Sequence, residues 1–280
     1  MANIALLSLS SSINLSELTR VAGAVQRQVN EHASCWSISG TITAYATPSD
    51  VPYDYQRVTI VSNHPNGHMG VHIGHDQANQ PYALVSDDGE WSVTVSHEVL
   101  EMLVDPSFSA FVGGTLNNGQ SVNFLKEICD PCQGNSYSVN GVSVSDFVTP
   151  AYYIAASPSS ATFTYCGNIA APFSVAPYGC LVWQDPSTGD FWAYVNTGAS
   201  GQVQHLGQFD GGVGSMSLRC WADSRMRQRG YKPRGKQAKR LARARAEHDK
   251  AAQSAATRWL KEMANLYPAV VPTEYLQNSQ

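Results

Sequence analysis

Positive charge is scarce over most of this 280-residue chain. Residues 1–218 hold four basic side chains (Arg20, Arg27, Arg57 and Lys126) against 17 acidic ones, a net of −13. Only 14% of all residues are charged, where an ordinary soluble domain carries ~25%. A carboxylate buried in this part therefore has few Lys or Arg side chains to pair with, although burial demands a cation or hydrogen-bond donors. Long apolar runs are missing as well, and none approaches the roughly 20 residues needed to cross a bilayer. The start, Met1-Ala-Asn-Ile-Ala-Leu-Leu, lacks the basic residues and cleavage pattern of a secretory signal, so a cytoplasmic or virion-associated location is expected. Nucleophile-elbow, Walker and dinucleotide fingerprints are absent, which removes the commonest serine-hydrolase and nucleotide-binding readings. The six cysteines are too few for a chain of this length to depend on disulfide staples.

What is present divides unevenly. Hydrophobic residues make up 43% of the chain, ample for a core. Residues 219–280 hold 14 basic side chains against five acidic ones, a net of +9. An acidic body carrying a basic arm is the organisation this implies.

Ile4–Ser8 suits a buried strand. Leu18, Val21, Ala22, Val25 and Val29 recur at helical spacing, predicting an amphipathic helix over about 16–32. Strands are expected at Ser37–Tyr45, Arg57–Ser62 and Pro81–Ser86, with Gly70–Ile73 a candidate partner. Trp91–Val104 reads as a helix, stopped by Asp105-Pro106. Residues 107–218 are short β-rich runs broken by Gly, Asn, Ser and Pro, including an Asn140-Gly141 hairpin signal and strands at Ala161–Tyr165 and Phe191–Val195. Arg225–Gly235 reads as irregular, and Lys236–Leu266 as a long helix ending before Pro268.

The sharpest chemical signal is His97-Glu98-Val99-Leu100-Glu101 on the second helix. Positions i and i+4 share one helix face, so His97 and Glu101 can reach the same ion. Glu98 beside them can take a proton from an attacking water. This is the logic of H-E-x-x-H with glutamate in the second histidine's place. Val93, Val95, Val99, Leu100, Leu103 and Val104 make the helix mostly apolar, leaving these groups on a narrow polar seam. With few basic residues in the body, a divalent metal, zinc foremost, is the expected partner. A third ligand is offered by Lys126-Glu127-Ile128-Cys129-Asp130-Pro131-Cys132, at Glu127. Asp130 and Asp105 would orient ligands by hydrogen bonds. A His/Glu/Glu set is harder and more anionic than the usual zinc-peptidase donors.

The H-E-x-x-E of His97, Glu98 and Glu101 is followed by Asp105-Pro106, then by E-x-x-D-x-C at Glu127, Asp130 and Cys132. This order resembles a zincin-like pattern of certain bacterial and phage proteins, and more distantly that of plant Exordium-type proteins. The resemblance covers about residues 1–155. It implies a zincin-like fold there, and the whole chain is expected to be α+β: a mixed sheet with two helices, one of them carrying H-E-x-x-E, then the β-rich region and the long basic C-terminal helix. The expected division is 1–155 for the metal-site domain, 156–218 for a β-rich extension and 219–280 for the basic arm.

Other signals stay open. His64, His68, His72 and His75 read as a second metal site, a cleft-lining loop or a solvated polar loop. Cys129-x-x-Cys132 reads as a redox pair, half a zinc site, a disulfide or plain thiols. In the arm, Arg225, Arg227, Arg229, Lys236, Lys239, Arg240 and Arg243 are dense enough to neutralise phosphates, or to dock on an acidic protein surface. The leading expectation is a zinc-dependent hydrolase of peptides or proteins, with Glu98 as catalytic base and His97, Glu101 and Glu127 as ligands. The alternative is a non-catalytic structural or virion-assembly protein, anchored through its arm to an acidic protein or nucleic acid. A third reading, metal-assisted phosphodiester cleavage, joins the arm to the metal.

Overall fold

The computed structural model describes residues 2–62, 70–75, 80–116, 118–211 and 217–231. Strand β1 (Ala2–Ser8) alternates its side chains between two apolar clusters. Ile4 and Leu6 enter the main core, whereas Ala5 and Leu7 pack with Val51 on the opposite face. Helix α1 (Leu15–Arg27) begins in a capping box, in which Asn14 accepts from the Glu17 amide and Glu17 reaches back to the Asn14 amide. The expected stripe of Leu18, Val21, Ala22 and Val25 is buried. Its last turn, Gln28–His32, widens to π geometry.

β2 (Gly40–Tyr45) and β3 (Gln56–Val61) flank β1, both parallel to it. β4 (Gly70–His75) precedes β5 (Pro81–Ser86) in the chain and pairs antiparallel with it, while β5 lies parallel to β3. The sheet order β2-β1-β3-β5-β4 thus holds four parallel strands and one antiparallel edge strand. Helix α2 (Trp91–Val104) follows β5 and packs over β3, β4 and β5 beside α1. The fold is mixed α/β.

A second, antiparallel sheet holds β6 (Phe111–Thr115), β7 (Ser121–Leu125), β10 (Cys180–Gln184), β11 (Asp190–Asn196) and β12 (Gly201–Gln208), in the order β12-β11-β10-β7-β6. Its strands come from both sides of residue 156. The hairpin of β8 (Ser136–Val139) and β9 (Val142–Ser145) turns at Asn140 and Gly141, with φ of 51° and 75°. Two successive left-handed residues are what a tight hairpin requires, and Asn-Gly adopts them most readily. Helix α3 (Leu218–Gln228), capped by Ser217, packs against β12 and β4. Its Leu218, Trp221, Ala222 and Met226 join Val182, Phe191, Val195 and Leu206 of the second sheet in a separate core.

Two readings from the sequence are corrected. Ala161–Tyr165 forms no strand and makes a single bridge, Thr164 to Val148. The start of the basic segment is not irregular: residues 225–228 are the last turn of α3, held down by burial of Trp221 and Met226 on its inner face. The long helix expected over Lys236–Leu266 lies outside the described residues, as do His64, His68, Lys236, Lys239, Arg240 and Arg243. His72 and His75 fall in β4. Among the described residues no helix is long and apolar enough to cross a membrane.

Candidate metal centre

Helix α2 is buried from Val93 to Met102, so the polar groups among its apolar residues must find partners inside the protein. His97 is 7% exposed and Glu101 1%. One helical turn apart, they meet with His97 Nε2 3.2 Å from Glu101 Oε2. Glu98 is buried next to them. Gly70, the first residue of β4, lies so close that a Cβ there would overlap Glu98 Oε1 and the Thr94 methyl. Helix and hairpin are fixed together by Ser96, whose Oγ accepts from the Ser145 amide at 2.6 Å.

The segment after β7 closes over this seam. The Cys129 amide donates to Glu101 Oε1 at 3.1 Å, and its thiol points to the His97 carbonyl at 3.8 Å. Tyr153 donates from its hydroxyl to the Glu127 carbonyl at 3.1 Å. Pro131 sits in the short helical turn Asp130–Cys132, which brings Asp130 Oδ1 to 3.5 Å from His97 Nε2. His97, Glu101 and Cys129 therefore converge, with one ligand atom of each lying within 4.8 Å of the others, and all three residues are buried. Nitrogen, oxygen and sulfur donors together are a set that zinc accepts, at bond lengths of ~2.0–2.3 Å. The group could bind a metal.

Glu127 stands beside Glu101 and is not one of these three converging donors. Both its carboxyl oxygens are buried, and the neighbouring Glu101 carboxyl is the group with which it interacts. Burial first, and the Glu101 charge second, push its carboxyl well above the usual range, with Arg219 opposing. The two carboxyls can meet only by sharing a proton or a cation. For His97, burial alone would lower the pKa, but Glu101 and Glu98 together outweigh it and the net direction is up. Burial holds the Cys129 thiol well above its ordinary value. Asp105 builds the turn that ends α2, accepting from the Ser107 amide, the Ser107 hydroxyl and the Ala110 amide.

The cation that composition withholds from the body comes from the basic segment itself. Arg219, in the first turn of α3, is 6% exposed and donates to Asp130 Oδ2. Its other terminal nitrogen lies 3.3 Å from Asp223 Oδ1. The expectation that the carboxylates around His97 lack a basic partner is thereby corrected: the surplus charge of the last 62 residues contributes one arginine to the site. Arg225 on α3 and Arg229 just past its end are exposed, Arg225 lying over the Trp221 ring at 5.7 Å, and Arg227 is half-buried.

Two site residues escaped the sequence reading. From the sequence Cys129 reads as half of a Cys129-x-x-Cys132 pair, redox or zinc-binding, and not as a partner of His97 and Glu101; both thiols are buried. Arg219 was counted with the arm, although its i,i+4 spacing to Asp223 after a Ser cap marks a helix with a charged pair. No family model matches the chain, and neither the curated proteins nor the solved structures hold a match.

Proposed function

We infer that the protein is a metal-dependent hydrolase acting on peptide bonds. The observation that carries this reading is the convergence of buried His97, Glu101 and Cys129 amid further buried carboxylates. His97 and Glu101 would hold the ion and Cys129 would complete the set, its soft sulfur favouring zinc. Glu127 would become a donor once the proton it shares with Glu101 is displaced. A divalent ion there supplies a Lewis acid and acidifies water at neutral pH. Glu98, fixed beneath Gly70, would take the proton from the attacking water and return it to the leaving amine. Asp130, 3.5 Å from the imidazole, would orient His97.

Peptide is the favoured substrate because β4 is the edge strand of its sheet and begins over Glu98. An extended chain added to that edge would run past the carboxylate. The H-E-x-x-E resemblance to zincin-like proteins points the same way. The test is elemental analysis with two variants. Wild-type protein should carry about one equivalent of divalent metal, His97→Ala should lose it, and Glu98→Gln should keep it while peptide hydrolysis disappears. Protein that takes up no zinc, with His97→Ala unchanged in stability, would sink this reading.

One observation favours the structural alternative. Arg219 already supplies a counter-charge to Asp130, as an ion cluster serving only the fold would. In that case Glu98→Gln and wild type would be equally inactive on peptides.

A further inference from the structure

Two buried carboxylates, Asp130 and Asp223, pair with the guanidinium of Arg219, within a buried cluster that also holds Glu98, Glu101 and Glu127. Asp130 links that guanidinium to the metal donors, with one oxygen taking Arg219 and the other facing His97 Nε2. Any ion bound by His97 and Glu101 therefore shares Asp130 with a fixed positive charge. That charge cannot drift away, because α3 is seated by Leu218, Trp221, Ala222 and Met226 in the second core. Tyr231 strengthens the seat beyond the helix end, donating to the Tyr178 carbonyl at 2.8 Å and accepting from Gln133 at 2.7 Å.

We propose that Arg219 is the built-in competitor of the metal, a guanidinium that neutralises the carboxylate cluster when no ion is bound and sets the affinity with which a divalent cation can enter. The inference rests on the metal reading above and adds to it a residue that determines which cations are held. A monovalent ion brings too little charge to compete with a fixed arginine for Asp130 and its neighbouring carboxylates, whereas a divalent ion with a nitrogen and a sulfur donor brings enough. Arg219 belongs to the basic segment by composition and to the metal centre by function.

The test is the zinc affinity of the full chain, read by competition with a chromophoric chelator, together with melting curves in EDTA and in zinc. Arg219→Met should bind zinc about tenfold more tightly than wild type, because a repelling charge is gone. Arg219→Lys, which keeps the charge, should stay near wild type. In EDTA the Arg219→Met protein should melt well below wild type, and zinc should restore most of the difference. Arg219→Gln, which still can donate to Asp130, is a milder second variant with the same expected direction. Unchanged or weaker zinc binding in Arg219→Met and Arg219→Gln overturns the inference, as does tight binding by Arg219→Lys. Failure of both neutral variants to fold even with zinc also overturns it, since a competing ion must be able to replace the guanidinium. Zinc binding lost in His97→Ala but unmoved in the Arg219 variants removes this inference alone. Binding that His97→Ala leaves untouched removes the metal centre and this inference together.

Discussion

Asp130 and Arg219 lie 89 positions apart in the chain and form a buried ion pair, with the second oxygen of Asp130 turned to His97. The pair joins the turn after β7 to the first turn of α3. It thereby ties the second sheet and its helix to the polar seam of α2.

Replacing Asp130 by Asn should therefore cost more than a lost hydrogen bond. It removes one of the two carboxylates paired with the buried Arg219, the other being Asp223, and breaking one partner of a buried pair typically costs about 3–5 kcal/mol. Urea unfolding of the metal-free protein reads this directly. A change under about 0.5 kcal/mol, the size expected of a neutral surface substitution, would contradict the burial.

Gly70→Ala places a methyl where Glu98 Oε1 and the Thr94 methyl already are. Overpacking of this kind costs about 1–3 kcal/mol. Because Glu98 must move to make room, peptide hydrolysis should fall at least tenfold with metal content intact. Full activity in Gly70→Ala would show that Glu98 is not held by β4.

The stability of the metal-free protein should fall as pH rises. Glu127 and His97 both have pKa values raised on folding, from ordinary values near 4.5 and 6.5. Each keeps its proton in the folded chain where the unfolded chain has released it. The stabilisation is complete below the unfolded pKa and is lost as pH climbs through the folded one. Urea midpoints in EDTA should decline across the range above 4.5 for Glu127 and again above 6.5 for His97. Midpoints that rise over the same interval would reverse the assignment.

Of the six cysteines only Cys35 and Cys166 are exposed. Burial and the neighbouring Asp146 push the Cys166 thiol up to about 12, so little of it is thiolate at neutral pH. Iodoacetamide on the native protein should label Cys35 first, Cys166 slowly, and the other four only in denaturant. Mass mapping of the labelled peptides checks the order. Rapid labelling of Cys129 would contradict the closed site.

Much of the fold was legible where local spacing reports burial. The apolar run of β1, the stripe of α1, the polar seam of α2 and the Asn140-Gly141 turn all follow from periodicity or turn chemistry. The second sheet was much less so. β6 is Phe-Val-Gly-Gly-Thr, half-exposed and rich in glycine, and β12 is exposed along most of its length. Neither shows clear alternation, because their order comes from partners in β7 and β11.

The same division runs through the site. The period of the α-helix, read from the residues alone, determined that His97 and Glu101 share a face and that Glu98 stands beside them. Which groups approach that face from outside was decided by tertiary structure. Cys129 arrives through the hydrogen bond its backbone N–H donates to Glu101, Asp130 through the turn at Pro131, and Arg219 through the apolar seat of α3. Helical neighbours are set within one turn of chain, whereas a counter-ion 89 residues distant from its partner is set by how two cores pack.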